Sequence, residues 1–201
     1  GEFDQIYHEH MFYFSALSIS ALMQKFDFEL LDFFHSPVHG GSGIFMCGKK
    51  GRHTPNASVQ DALDKERSAF QENKIFHNFR VKIESNKIKA MGLIQEEKRQ
   101  GHVVGAYGAP AKAFTVFSYY ELNDSSIAFC IDTTPTKIGK VFPRFNIPIL
   151  SEEALNELEY NTVLINAWNY KEDILKKASL IFKKGTKLIF LIPDLEIHIV
   201  K

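Results

Sequence analysis

Four consecutive residues near the start of the chain, Tyr7-His8-Glu9-His10, place a phenol, a carboxylate and two imidazoles side by side. These groups can move a proton near neutral pH. On an extended segment Tyr7 and Glu9 share one face and His8 and His10 the other. A turn there brings Tyr7, Glu9 and His10 together. The residue types also fit a partly exposed polar loop. As a metal site they are weak, because His-x-His with one carboxylate and no further spaced ligand is a poor zinc set. No metal is expected in this chain. Termini tend to fray, so chemistry this dense so early predicts that the segment continues from something larger.

A second group lies at strand ends. Gly105-Ala106-Tyr107-Gly108-Ala109-Pro110-Ala111-Lys112 follows an apolar run and opens a helical one. Small residues there let backbone N–H groups approach an anion at a helix N-terminus. The dinucleotide fingerprint G-x-G-x-x-G is absent. Asp132 ends the next strand, where an acid that holds a ribose hydroxyl is expected, or else a solvent-facing Asp beside a tight turn. Ala167-Trp168-Asn169 ends a third strand. His39-Gly40-Gly41-Ser42 reads as a turn between strands, glycine supplying positive φ readily.

The elements that must position these residues follow from periodicity. Ser15 caps a short helix through Lys25, with Leu17, Ala21 and Leu22 on one face. Phe28 to Phe34 and Ile44 to Cys47 are strand-like. One helix and two strands make no independent core and need a sheet to join. A polar linker, 48–56, leads to a helical stretch from Ser58 to Gly101. One stripe there carries Val59, Ala62, Leu63 and Phe70, and another Phe79, Ile83, Ala90, Met91 and Ile94, with a break expected at His77-Asn78. Strands at His102 to Ala106, Ile127 to Ile131, Thr162 to Ile165 and Lys187 to Ile192 then alternate with helices at Pro110 to Leu122, Ser151 to Leu158 and Lys171 to Lys183. Short apolar strands alternating with helices predict an α/β fold, a Rossmann-like doubly wound parallel sheet covered on both faces. Ligands in such sheets sit at the carboxyl ends of the strands.

Composition narrows the classes. The chain has 201 residues, is 45% hydrophobic with 18 Phe, and balances 24 basic against 24 acidic residues. That is ample for a core, and a zero net charge favours neither nucleic acid nor an anionic membrane as partner. No apolar run approaches the roughly 20 residues needed to span a bilayer, and no signal peptide is visible. Cys47 and Cys130 lie inside apolar runs and read as buried free thiols of a reducing compartment. A soluble, cytoplasmic protein is the expectation.

Taken together, several segments resemble the S-adenosylmethionine-dependent sugar C-methyltransferases. Phe3-Asp4-Gln5-Ile6-Tyr7-His8-Glu9-His10 with Tyr13-Phe14-Ser15 resembles that family's conserved loop. His39-Gly40-Gly41-Ser42 is similar to its second signature, and Tyr107 to Lys112 with Thr115 and Tyr119 to its third. Asp132, Pro135, Lys137 and Gly139, then Pro143 and Ile147-Pro148-Ile149, fall in a fourth, and Ala167-Trp168-Asn169 completes the set. The segments keep the family's order over almost the whole chain.

The resemblance implies a division into residues 1–50, a strand-helix-strand remnant of a methyltransferase domain with the catalytic loop, residues 51–101, a linker and helical connector, and residues 102–201, a Rossmann-like substrate-binding domain. It implies methyl transfer from S-adenosylmethionine to a carbon beside the ketone of a nucleotide-linked deoxysugar, commonly a dTDP sugar. The methyl-donor site lies mostly outside this chain, as does a zinc-binding N-terminal region, so the chain alone is expected to be an inactive piece of a longer enzyme. Tyr7, Glu9 and His10 are the implied catalytic residues, with the choice of base between Tyr7 and His10 open. His39, Gly40, Gly41, Tyr107, Gly108, Ala109, Lys112, Asp132, Lys137, Trp168 and Asn169 are the implied substrate contacts. The chain departs from the family's pattern at Gly43-Ile44, Ala113-Phe114, Ser118 and Arg144-Phe145. Two other readings compete: a non-catalytic nucleotide or nucleotide-sugar binding module, and a fragment of an NAD-dependent oxidoreductase.

Overall fold

A computed structural model describes residues 2–71 and 74–201, and of His39 the backbone alone. The chain divides into two compact units, Met11–Arg80 and a second that joins the residues up to His10 to Val81–Lys201.

In the first unit α1 (Ala16–Gln24) starts where predicted, because Ser15 accepts from the Ser18 amide while the Ser18 hydroxyl reciprocates. Glu66 adds a second cap, accepting from the Ala16 and Leu17 amides at 2.7 and 2.9 Å. β1 (Phe28–Ser36) and β2 (Ser42–Lys49) form an antiparallel hairpin with a bulge between Leu30 and Asp32. Asp32 then holds the entry to α2 (Ala57–Phe70), accepting from Asn56 and Ser58 side chains at 2.5 Å each. α3 (Lys74–Arg99) begins in this unit. It runs unbroken through His77-Asn78, so the expected break is misplaced; the interruption comes after Phe70. Polar residues on an exposed helix face do not end a helix without Gly, Pro or a cap.

The second unit is built on a six-stranded sheet. Its strands are β3 (Val104–Tyr107), β4 (Cys130–Ile131), β5 (Ile149–Leu150), β6 (Thr162–Ile165), β7 (Lys187–Phe190) and β8 (Glu196–Ile199). Their order is β5-β4-β3-β6-β7-β8, all parallel except the β8 edge. This is the doubly wound arrangement, reversing direction between β3 and β6. α4 (Ala111–Tyr120) crosses from β3 to β4 and α5 (Lys171–Ile181) from β6 to β7, in opposite senses. Right-handed crossovers therefore put them on opposite faces. The Ser151 to Leu158 segment is a short 3-10 turn, Glu152–Asn156, and not the expected α-helix. β5 and β8 escaped the sequence reading. The core comprises β3 to β7, Val116, Phe117 and Tyr120 of α4, and Ile83, Ala90 and Ile94 from α3. Buried Glu97 locks α3 to the sheet: it accepts from Thr162 at 2.7 Å and His102 at 2.9 Å and pairs with Lys187. Both cysteines are free; Cys130 is buried as expected, Cys47 only half-buried. No described helix is long and apolar enough to cross a membrane.

Candidate active site

The loop that carries the clustered chemistry is tied down residue by residue within the second unit. Phe3 is buried against Tyr119 and Tyr120, ring centroids 5.0 and 5.8 Å away. The Ile6 carbonyl accepts from Thr115 Oγ1 at 3.1 Å. The chain then turns, the His10 amide donating to the Tyr7 carbonyl at 2.9 Å. The Tyr7 and His10 rings meet at 4.2 Å and 40°. His10 Nδ1 lies 2.8 Å from the Gln5 carbonyl oxygen. A carbonyl only accepts, so Nδ1 carries a proton, and in the neutral ring Nε2 is the acceptor. The turn thus joins Tyr7 to His10, while Glu9 lies 3.9 Å from exposed His8.

Beside this loop is a cavity of about 820 Å³, within the range of small-molecule sites. Tyr7 and His8 form one side, α4 with Ala109 and Pro110 another, and Phe142, Pro143 and Ile149 the far wall. Aromatic packing stiffens it: Phe114 meets Phe145 at 5.0 Å, and Phe117 meets Phe142 at 5.2 Å. The Ser118 hydroxyl, on the same wall, is buried with no partner among the described residues. Two of the family departures, Phe114 and Ser118, therefore line one cavity, and a third, Phe145, packs on Phe114.

The strand-end residues form two internal clusters. In the first, Asp132 accepts from the Ala109 amide at 2.7 Å and the Thr134 amide at 2.8 Å. Lys137 donates to the Ala109 carbonyl at 2.9 Å and stands 3.5 Å from Asp132. Burial alone would raise the Asp132 pKa, but the Thr134 and Ala109 hydrogen bonds and Lys137 outweigh it and hold it below the usual range. Both Asp132 oxygens are engaged inside the loop. In the second, Lys112 donates to Asn169 at 2.9 Å, sits 4.1 Å over the Trp168 ring and 3.7 Å from Asp4. The Trp168 indole donates to Asp4 at 2.6 Å. Burial lowers the Lys112 pKa, Asp4 opposing it, and burial raises that of Asp4 against the pull of Trp168 and Lys112.

Tyr107 stands apart. Its hydroxyl donates to Glu152 and its ring meets Phe182 at 5.3 Å, and burial followed by Glu152 raises its pKa. Gly108 has φ +88°, and a Cβ there would come within 3.2 Å of Ala167 Cβ. Gly40 and Gly41 adopt positive φ in the hairpin unit; the His39 side chain lies outside the described residues. Asp4 is the residue the sequence reading did not single out. It lies inside the loop motif that carries the resemblance, but that motif gives it no role of its own.

Among the described residues no group of three or more His, Cys, Asp or Glu could hold a metal ion. The donor set does not fit zinc, and the cavity walls offer no carboxylate for the ribose diol of a methyl donor.

Residues 37–193 match the family described as the C-methyltransferase C-terminal domain. The chain is also similar to the C-methyltransferase NovU of Streptomyces niveus, 31% identical over 196 residues. That alignment covers 96% of this chain and 47% of NovU, so the chain spans about half the length of this relative. With the motifs in order and most of its length matched, the chain belongs to the C-methyltransferase C-terminal domain family.

Proposed function

We propose that the chain is the catalytic-loop and substrate-side portion of an S-adenosylmethionine-dependent C-methyltransferase acting on a nucleotide-linked keto-deoxysugar, a dTDP sugar first among them. The observation that carries this reading is the His10 Nδ1 to Gln5 carbonyl contact at 2.8 Å. In the neutral ring it leaves Nε2 as the proton acceptor beside the phenol of Tyr7, which lines the cavity. In this mechanism His10 Nε2 removes the proton from the carbon beside the ketone, and its C–H electron pair becomes the enolate. Tyr7 donates a hydrogen bond to the oxygen on which negative charge develops. The apolar walls hold the sugar and keep water from quenching the enolate. Methylation of that carbon is supplied by the donor, held by residues other than the cavity walls described here. Glu9, exposed beside His8, serves a sugar hydroxyl. The intact enzyme is cytoplasmic on this reading.

Proton abstraction can be followed separately from methyl transfer. In deuterium oxide the full-length protein exchanges the proton beside the ketone of a dTDP-4-keto-deoxysugar. His10→Ala is expected to slow this exchange by about 10²–10⁴-fold, read by NMR. Exchange at an undiminished rate in His10→Ala removes His10 as the base.

A further inference from the structure

We infer that Asp4 is a positioning residue for this reaction: its buried carboxylate, gripped by Trp168 and Lys112, fixes the Gln5 carbonyl that orients His10. The inference rests on the base assignment above and names what makes that base precise.

Burying a carboxylate is costly unless it is paired and hydrogen-bonded, and Asp4 is 0% exposed. Its Oδ2 is compensated from two directions, while Oδ1 meets no partner among the described residues. Trp168 opens the 3-10 turn that leads into α5, and Lys112 lies in the first turn of α4. The two crossovers that leave β3 and β6, on either side of the switch point, thus close on one carboxylate oxygen, Oδ2, at 2.6 and 3.7 Å. The next residue along the chain, Gln5, presents its carbonyl to His10 Nδ1. Phe3, on the other side of Asp4, is buried between α4 aromatics. The 3-10 turn Phe3–Gln5 therefore cannot rotate without breaking the Trp168 bond, and the imidazole is aimed by that turn.

The competing role for Lys112, Trp168 and Asn169 is direct contact with substrate. Their geometry is unfavourable to it. The Lys112 side chain is only 13% exposed, and its ammonium is shared among Asn169, Asp4 and the Trp168 ring.

The test uses the full-length protein with Asp4→Asn, Trp168→Phe and the double variant. Asp4→Asn keeps an acceptor for the indole and removes the charge. Trp168→Phe keeps an aromatic ring and removes the donor. Each is expected to lower kcat for exchange roughly ten- to a hundredfold, with KM within about threefold of wild type. The double variant should be no worse than the weaker single one, since both cut the same link. Ring nitrogen NMR of labelled His10 is expected to show the Nδ1–H tautomer in wild type and a mixture in both variants. A raised KM with kcat retained would make these residues substrate contacts and overturn the inference. So would an unchanged His10 tautomer. If Asp4→Asn does not fold, Trp168→Phe alone decides on the same readouts. If wild type exchanges no keto-sugar, the functional reading falls, while the tautomer still decides whether Asp4 aims the ring.

Discussion

Gly105 owes its residue type to a neighbour distant in sequence, Phe129. The run of small residues from Gly105 suggests an anion cradle, but in β3 a Cβ at this position would collide with the buried Phe129 ring. The glycine serves packing inside the sheet. Gly105→Ala is accordingly expected to destabilise the fold by about 1–3 kcal/mol, measured by chemical denaturation. The same limit applies to Asp132, Lys112 and Trp168. Their types and strand-end places are legible in sequence, but beside local partners such as Thr134 they bond across 23 to 164 residues of separation. Tyr7 and His10 were legible because adjacent proton-moving groups are rare in themselves. Asp4 was not, because a single acid has no period and no spacing.

Elements were legible where local chemistry is strong. Ser15 announces α1, and the structure adds what no local window contains, the Glu66 carboxylate on the Ala16 and Leu17 amides. An anion on open amides at a helix start is favoured by both hydrogen bonding and the helix dipole. Glu66→Ala should cost about 1 kcal/mol, seen as a lowered midpoint in thermal or urea unfolding. β8 escaped notice for a physical reason. Its Glu196-Ile197-His198-Ile199 alternation is inverted, with both isoleucines exposed and the polar residues turned inward. Glu196 pairs with Lys171 at 2.5 Å and His198 packs on Phe190. Inward polar residues are one way an edge strand avoids pairing with other chains.

At the scale of the whole second unit, the doubly wound order followed from the alternation of strands and helices. The node that ties α3 to it did not. Burial alone would raise the Glu97 pKa, but Lys187, Thr162 and His102 outweigh it and hold it below 4.5. A carboxylate depressed on folding contributes stability above its unfolded value and loses it as pH falls through the folded one. Asp132 acts in the same sense. Asp4, raised by burial, acts oppositely, its burial cost easing on protonation. Glu97→Gln is expected to cost roughly 2 kcal/mol at neutral pH by leaving buried partners unsatisfied. That difference should shrink on acidification below the ordinary carboxylate range, followed by denaturation midpoints against pH; a gap that persists in acid would assign the node a packing role alone. The segment between β4 and β5 has a different character. It supplies Phe142, Pro143 and Phe145 to the cavity and its aromatic support, yet contributes only one isolated bridge, Val141 to Pro148, to regular structure. Irregular segments accept substitution more readily than the strands they join. Substitutions there can re-cut the shape of the cleft without touching the Phe3–Gln5 turn or the Trp168 bond that holds it.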